Sequence, residues 1–173
     1  MALGITERCR SPYDVAFSDV DNRQGDAVRQ RLEALATEMR ARFGGAVTVR
    51  RMGGHPDDGD GLDVGMRPST EGALALSWFD TGEYLQVETG GGPAGRWEME
   101  RTDEDAAYLE DIVRSVVAGR VVEVLGSANR SHITVTLSDG TEEVSTGYAP
   151  GPGCLPWPGW KRKGRRVQYQ AWG

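Results

Sequence analysis

The chain has 173 residues, 38% of them hydrophobic and 27% charged, with 24 glycines and a formal net charge of −6. That length bounds one domain able to bury roughly two-thirds of its unfolded surface, and the charged fraction with several periodic segments excludes global disorder. No run approaches the roughly 18 apolar residues of a membrane span, no apolar stretch near Met1 reads as a signal peptide, and two cysteines, Cys9 and Cys154, are too few for a secreted disulfide framework. The expectation is a soluble cytoplasmic protein with reduced thiols.

Residues 1–20 show no clear period and read as a loosely ordered lead-in. From Asp26 to Phe43, Val28, Leu32, Leu35, Met39 and Phe43 recur at steps of three and four, one helical stripe. Asp26 or Asn22 can cap its start, and Gly44-Gly45 supplies its stop. Ala46 to Arg51 reads as a strand, 53–61 as a loop rich in Gly, Pro and Asp, and Leu62 to Met66 as a brief strand. Ala73 to Phe79, Glu83 to Glu88 and Arg96 to Glu100 alternate apolar and polar residues and form a predicted antiparallel meander. Thr102 opens a second helix, with Asp103, Glu104 and Asp105 where negative charge suits the helix dipole and with Leu109, Ile112, Val113, Val116 and Val117 as its buried stripe. Gly119 ends it.

Val121 to Leu125 is a further strand, and His132 to Leu137 pairs with Thr141 to Thr146 across Asp139-Gly140, a type I′ turn signal. Val167, Tyr169 and Ala171 alternate in a last strand. Helix, strands, helix, strands gives an α+β domain over 1–173: a mostly antiparallel sheet of about six to eight strands with two amphipathic helices packed on one face. Residues 149–173 form a Pro-, Gly- and Trp-rich basic tail that packs back on the domain.

Charge is unevenly spread. Between Asp57 and Asp111 there are 15 acidic residues against Arg67, Arg96 and Arg101, while Lys161, Arg162, Lys163, Arg165 and Arg166 follow Pro158 with no acid among them. Such asymmetry bears on partners and association, not on fold. A tail folded back would bring its cations toward the acidic middle and its tryptophans onto the sheet.

The motifs that resemble chemistry lack their context. Gly90-Gly91-Gly92-Pro93-Ala94-Gly95 has the spacing of a dinucleotide loop, yet Arg96 to Glu100 reads as strand where the pyrophosphate would need a helix N-terminus. It reads instead as a flexible hairpin turn. Asp57, Asp58, Asp60 and Asp63 offer hard oxygens, but Leu62 stands at a ligand position of a calcium loop and the terminal Glu is missing. His55 and His132 have no Cys or His at metal-ligand spacing. No metal, no cofactor and no catalytic residue is expected, and the protein reads as non-enzymatic.

The remaining reading is a protein-binding module whose acidic surface takes a basic partner, with Glu83, Glu88, Glu98, Glu100, Glu104, Asp111, Trp157 and Trp160 as the candidate contact residues. The strand–turn–strand segment from Leu74 to Glu100 and the acid-capped helix from Thr102 to Ala118 resemble, in layout and charge, bacterial polymorphic-toxin immunity proteins. That resemblance implies a toxin domain as partner and occlusion of its active site as mechanism. An alternative is an enzyme or small-ligand binder whose site is assembled from residues distant in sequence. A third assigns nucleic acid to the basic tail, which the negative charge on the rest of the chain opposes.

Overall fold

A computed structural model describes the backbone of residues 12–52, 61–148 and 159–173, and side chains for 27–50, 61–148 and 159–173. Helix α1 spans Pro12–Phe43. It begins well upstream of Asp26, which corrects the expected start. Proline suits a first helical position, where its missing N–H has no bond to lose, and no proline follows before Phe43. The absence of an apolar period says which face is buried, not whether the backbone is helical. A one-turn 3-10 segment, Gly44–Ala46, ends α1, with Gly44 at φ +56°, where a side chain would be strained.

Strands β1 (Val47–Met52), β2 (Gly61–Met66), β3 (Leu76–Asp80), β4 (Tyr84–Thr89) and β5 (Arg96–Glu100) form an antiparallel sheet in chain order. Helix α2 (Asp103–Val117) follows, and the Thr102 hydroxyl accepts from the Asp105 amide at 3.1 Å, as the cap pattern predicts. Strands β6 (Val121–Gly126), β7 (Arg130–Thr136), β8 (Glu142–Tyr148) and β9 (Arg165–Gln168) make a second antiparallel sheet in the order β8-β7-β6-β9, and a single turn, α3 (Trp160–Lys163), precedes β9. The class is therefore α+β and antiparallel. Its nine described strands divide between two sheets because α2 carries the chain away from β5, and β6 then pairs with β7 and β9.

Both helices bury the stripes their spacing predicts: Val28, Leu32, Leu35 and Met39 from α1, and Leu109, Ile112, Val113 and Val116 from α2. These meet Val64, Trp78 and Val87 of the first sheet and Ile133 and Val135 of the second in one core. Helix α2 touches both β4 and β7 and so bridges the sheets. Each fully buried aliphatic side chain contributes about 1.5–3 kcal/mol before ordering entropy is subtracted. Two carboxylates lie inside this frame, Asp80 and Glu123. Asp80, at the inward end of β3, is fully buried between Arg29 of α1 at 3.2 Å and Arg101 at 2.8 Å, and accepts from the Gly82 amide.

Two local expectations change. The strand expected over Ala73 to Phe79 begins only at Leu76, because the preceding residues bond to the C-terminal segment instead. Gln170 N–H donates to the Gly72 carbonyl, Ala73 bridges Gln170, and the Trp172 indole donates to the Leu74 carbonyl at 3.1 Å. The Asp139-Gly140 turn does join β7 to β8, but it is not type I′. Only Gly140 takes positive φ, and its N–H reaches the Leu137 carbonyl, a three-residue loop with the glycine in the left-handed position.

Candidate functional site

The five-stranded sheet turns one face to the helices and the other to solvent. Across the solvent face one row runs through all five strands in register: Thr48, Gly65, Ser77, Glu88 and Arg96. A glycine and a serine occupy the middle strands, while long charged side chains stand toward the margins. The floor is therefore low and the rims are high. A Cβ added at Gly65 would meet nothing within 4 Å. The result is an open trough of about 740 Å³.

Its two long margins differ. On the β1 side stand Arg50 and Arg67, whose side chains form no ion pair among the described residues. On the β4–β5 side a network links four side chains. Arg96 donates to Gln86 at 2.8 Å and lies 3.8 Å from Glu88 and 3.6 Å from Glu98, while Gln86 donates to Glu88 at 2.6 Å. With Glu100 farther along the same face of β5, this margin carries more carboxylates than cations. Exposed pairs of this kind contribute about 0–1 kcal/mol to stability, so they are free to exchange partners.

The end wall of the trough is the Gly90–Gly95 hairpin, and it is not the flexible turn expected from its composition. Its amide donors are taken up by side chains of the second sheet. Gly91 and Gly92 donate to the Glu123 carboxylate at 2.9 and 3.1 Å, Ala94 to the Ser131 hydroxyl at 2.7 Å, and Gly95 to the Ser145 hydroxyl at 3.0 Å. The Tyr169 hydroxyl donates to Glu123 at 2.6 Å; burial first, and then this carboxylate, holds the phenol above its ordinary value. Gly147 admits the hairpin, since a Cβ there would overlap the Pro93 carbonyl. Glycine-rich turns gather amides that suit an anion. Here the anion is the chain's own fully buried Glu123.

The predicted contact residues fall on separate surfaces. Glu88, Glu98 and Glu100 share the solvent face of the first sheet. Glu83 is exposed in the β3–β4 turn, and Glu104 is exposed on the first turn of α2, on the helix side. Asp111 is engaged internally: it accepts from the Ser138 amide and hydroxyl and so anchors the β7–β8 loop to α2. Trp160 lies over Gly126 and meets Tyr148 edge to face at 6.4 Å. Trp157, the acidic stretch Asp57 to Asp60, His55, Cys9 and Cys154 lie outside the described residues. The cations of the tail do not meet the acidic margin. Strand β9 pairs with β6 in the other sheet, and Lys161, Arg162, Lys163, Arg165 and Arg166 form no ion pair among the described residues.

Thr48, Arg50, Gly65 and Ser77 were not singled out from sequence. The available signal was Gly65 inside a strand, which marks a place where something comes close to the backbone. Among the described residues no three His, Cys, Asp or Glu side chains gather to hold a metal ion, and no helix is long and apolar enough to cross a membrane. Comparison with known proteins finds no matching family model, no similar curated protein and no similar solved structure.

Proposed function

We propose that the protein is a non-enzymatic binding module that seats a protein partner in the trough, with Glu88, Glu98 and Glu100 taking basic residues of that partner. The observation that carries this reading is the low, small-residue floor at Gly65 and Ser77 beside an exposed carboxylate margin. Five strands at about 4.8 Å spacing give a face roughly 19 Å across, wide enough for a polypeptide segment. A stable complex needs about 800 Å² from each side, so contacts extend past the trough onto its margins. Acidic margins of this kind raise encounter rates with basic partners and reject acidic ones. The resemblance to toxin immunity proteins carries the reading one step further: a partner seated here has its own basic surface covered and is inhibited by occlusion.

The test uses the full chain as bait, with bound proteins identified at low and high salt. The expected result is a basic protein whose recovery falls in the E88K/E98K/E100K variant and in Gly65→Val, which raises the floor where an added Cβ meets nothing within 4 Å. Recovery of no protein that depends on these positions would end the proposal. A second reading rests on the volume, since about 740 Å³ lies within the range of small-molecule sites. A small polar ligand would be lost with Gly65→Val but would tolerate the change at Glu100.

A further inference from the structure

The four-stranded sheet also has a face turned away from the core, and its chemistry is different. Three rows cross it: Val122–Thr134–Val144, Val124–His132–Thr146 and Gly126–Arg130–Tyr148. Val144 and Tyr148, 50% and 43% exposed, are the exposed large hydrophobic residues of the described chain, and both stand on the edge strand β8. Trp160 lies beside Tyr148 above Gly126, so two aromatic rings sit together on one end of the face. Lys161, Arg162 and Lys163 occupy the same turn as Trp160, and Arg166 pairs across from Val124. None of these four cations has an ion pair among the described residues. Lys161 adds to burial in holding the His132 imidazole below its ordinary value, as expected where positive charge is uncompensated. The acid on this face, Glu142, is at the opposite end of β8 from Tyr148, about 20 Å away by strand rise.

We propose that this face binds single-stranded nucleic acid, with bases stacked on Tyr148 and Trp160 and phosphates running past Lys161, Arg162, Lys163 and Arg166. The exposed Tyr148 ring, the half-buried Trp160 ring beside it and cations side by side fit a polymer that carries a flat apolar face and a charge in each unit. An acidic protein would complement the cations and leave the rings unused. A duplex hides its base faces, so the rings select a single strand. The acidic side chains that oppose nucleic acid across the whole chain include the trough margin, which lies on the other sheet. This inference is independent of the trough and of its partner.

The experiment is fluorescence anisotropy of the full chain with labelled 15-nucleotide oligothymidylate and oligouridylate. Four phosphate contacts predict about fifty-fold weaker binding at 200 mM than at 50 mM salt. At fixed salt, Tyr148→Ala is expected to weaken binding about tenfold and Tyr148→Phe to leave it unchanged, because the ring and not the hydroxyl stacks. K161E/R166E is expected to abolish it, with thermal melting used to confirm that each variant is folded. No binding of either oligonucleotide at 50 mM salt would overturn the proposal. So would affinity that Tyr148→Ala leaves intact, or polyglutamate competing as well as the oligonucleotides, which would mark the face as a site for an acidic protein.

Discussion

Glu123→Ala tests how the trough wall is held. The carboxylate is fully buried and accepts from Gly91 and Gly92 N–H and from the Tyr169 hydroxyl. Truncation leaves three donors without an acceptor. The exposed Gly91 amide regains water at small cost, while the Gly92 amide and the Tyr169 hydroxyl each cost about 1–3 kcal/mol. The emptied volume adds about 1 kcal/mol, giving a loss of about 3–7 kcal/mol. Against a typical total of about 5–15 kcal/mol, that is a large fraction. Glu123→Gln keeps one acceptor oxygen but turns an NH₂ toward donors, so about half the loss is expected. Urea unfolding followed by the fluorescence of buried Trp78 and Trp172 measures it, and the midpoint should fall at an unchanged m-value. Combined with Tyr169→Phe, the losses should be less than additive by about 1–2 kcal/mol. A loss below about 1 kcal/mol, or strict additivity, would refute the carboxylate clamp.

Asp80→Ala removes the buried carboxylate between Arg29 and Arg101 and is expected to cost about 3–5 kcal/mol, whereas Glu38→Ala, opposite the half-exposed Arg114, costs under about 1 kcal/mol; thermal melts of the two variants compare them. Gly147→Val drives a side chain into the Pro93 carbonyl and should destabilise by about 2–4 kcal/mol, with loss of exchange protection in the 90–95 amides. Tyr108 and Tyr169 are both held above their ordinary value, burial being the larger cause and Glu143 and Glu123 the neighbours that add to it. The unfolded chain therefore loses these protons first. Their contribution is complete below about pH 10 and is lost at about 1.4 kcal/mol per pH unit for each tyrosine as pH rises toward the folded-state values. Tyr169→Phe should halve that alkaline slope in urea titrations; an unchanged slope would refute the assignment.

Features encoded within a few residues were legible in the sequence. The cap at Thr102, the stripe of α2 and the alternation of β4 and β5 each depend on neighbours along the chain. The division into two sheets was not, since periodicity says that Val121 to Leu125 is a strand but not which strand it joins. The hairpin anchors were hidden for the same reason: Glu123, Ser131 and Ser145 lie far along the chain from the glycines they hold. One trace was present, a single carboxylate among Val121, Val122, Val124 and Leu125, where a charge needs a strong reason to be buried. Of the acidic margin beside the trough, Glu88, Glu98 and Glu100 were singled out by their charge. The row through Gly65 and Ser77 emerged only from the register.

The bond from Trp172 to Leu74, together with the hold of Glu123 on the 90–95 hairpin, ties the first sheet to residues synthesised well after it. A nascent chain that has reached only residue 118 carries every strand of the trough but neither the wall's anchors nor the C-terminal tie. Its hairpin amides face water, and the trough has no fixed end. Translation at about 5–20 residues per second leaves several seconds between the last trough strand and Trp172. The finished form of the trough wall is thereby timed to late synthesis, and a chain terminated before Glu123 lacks it.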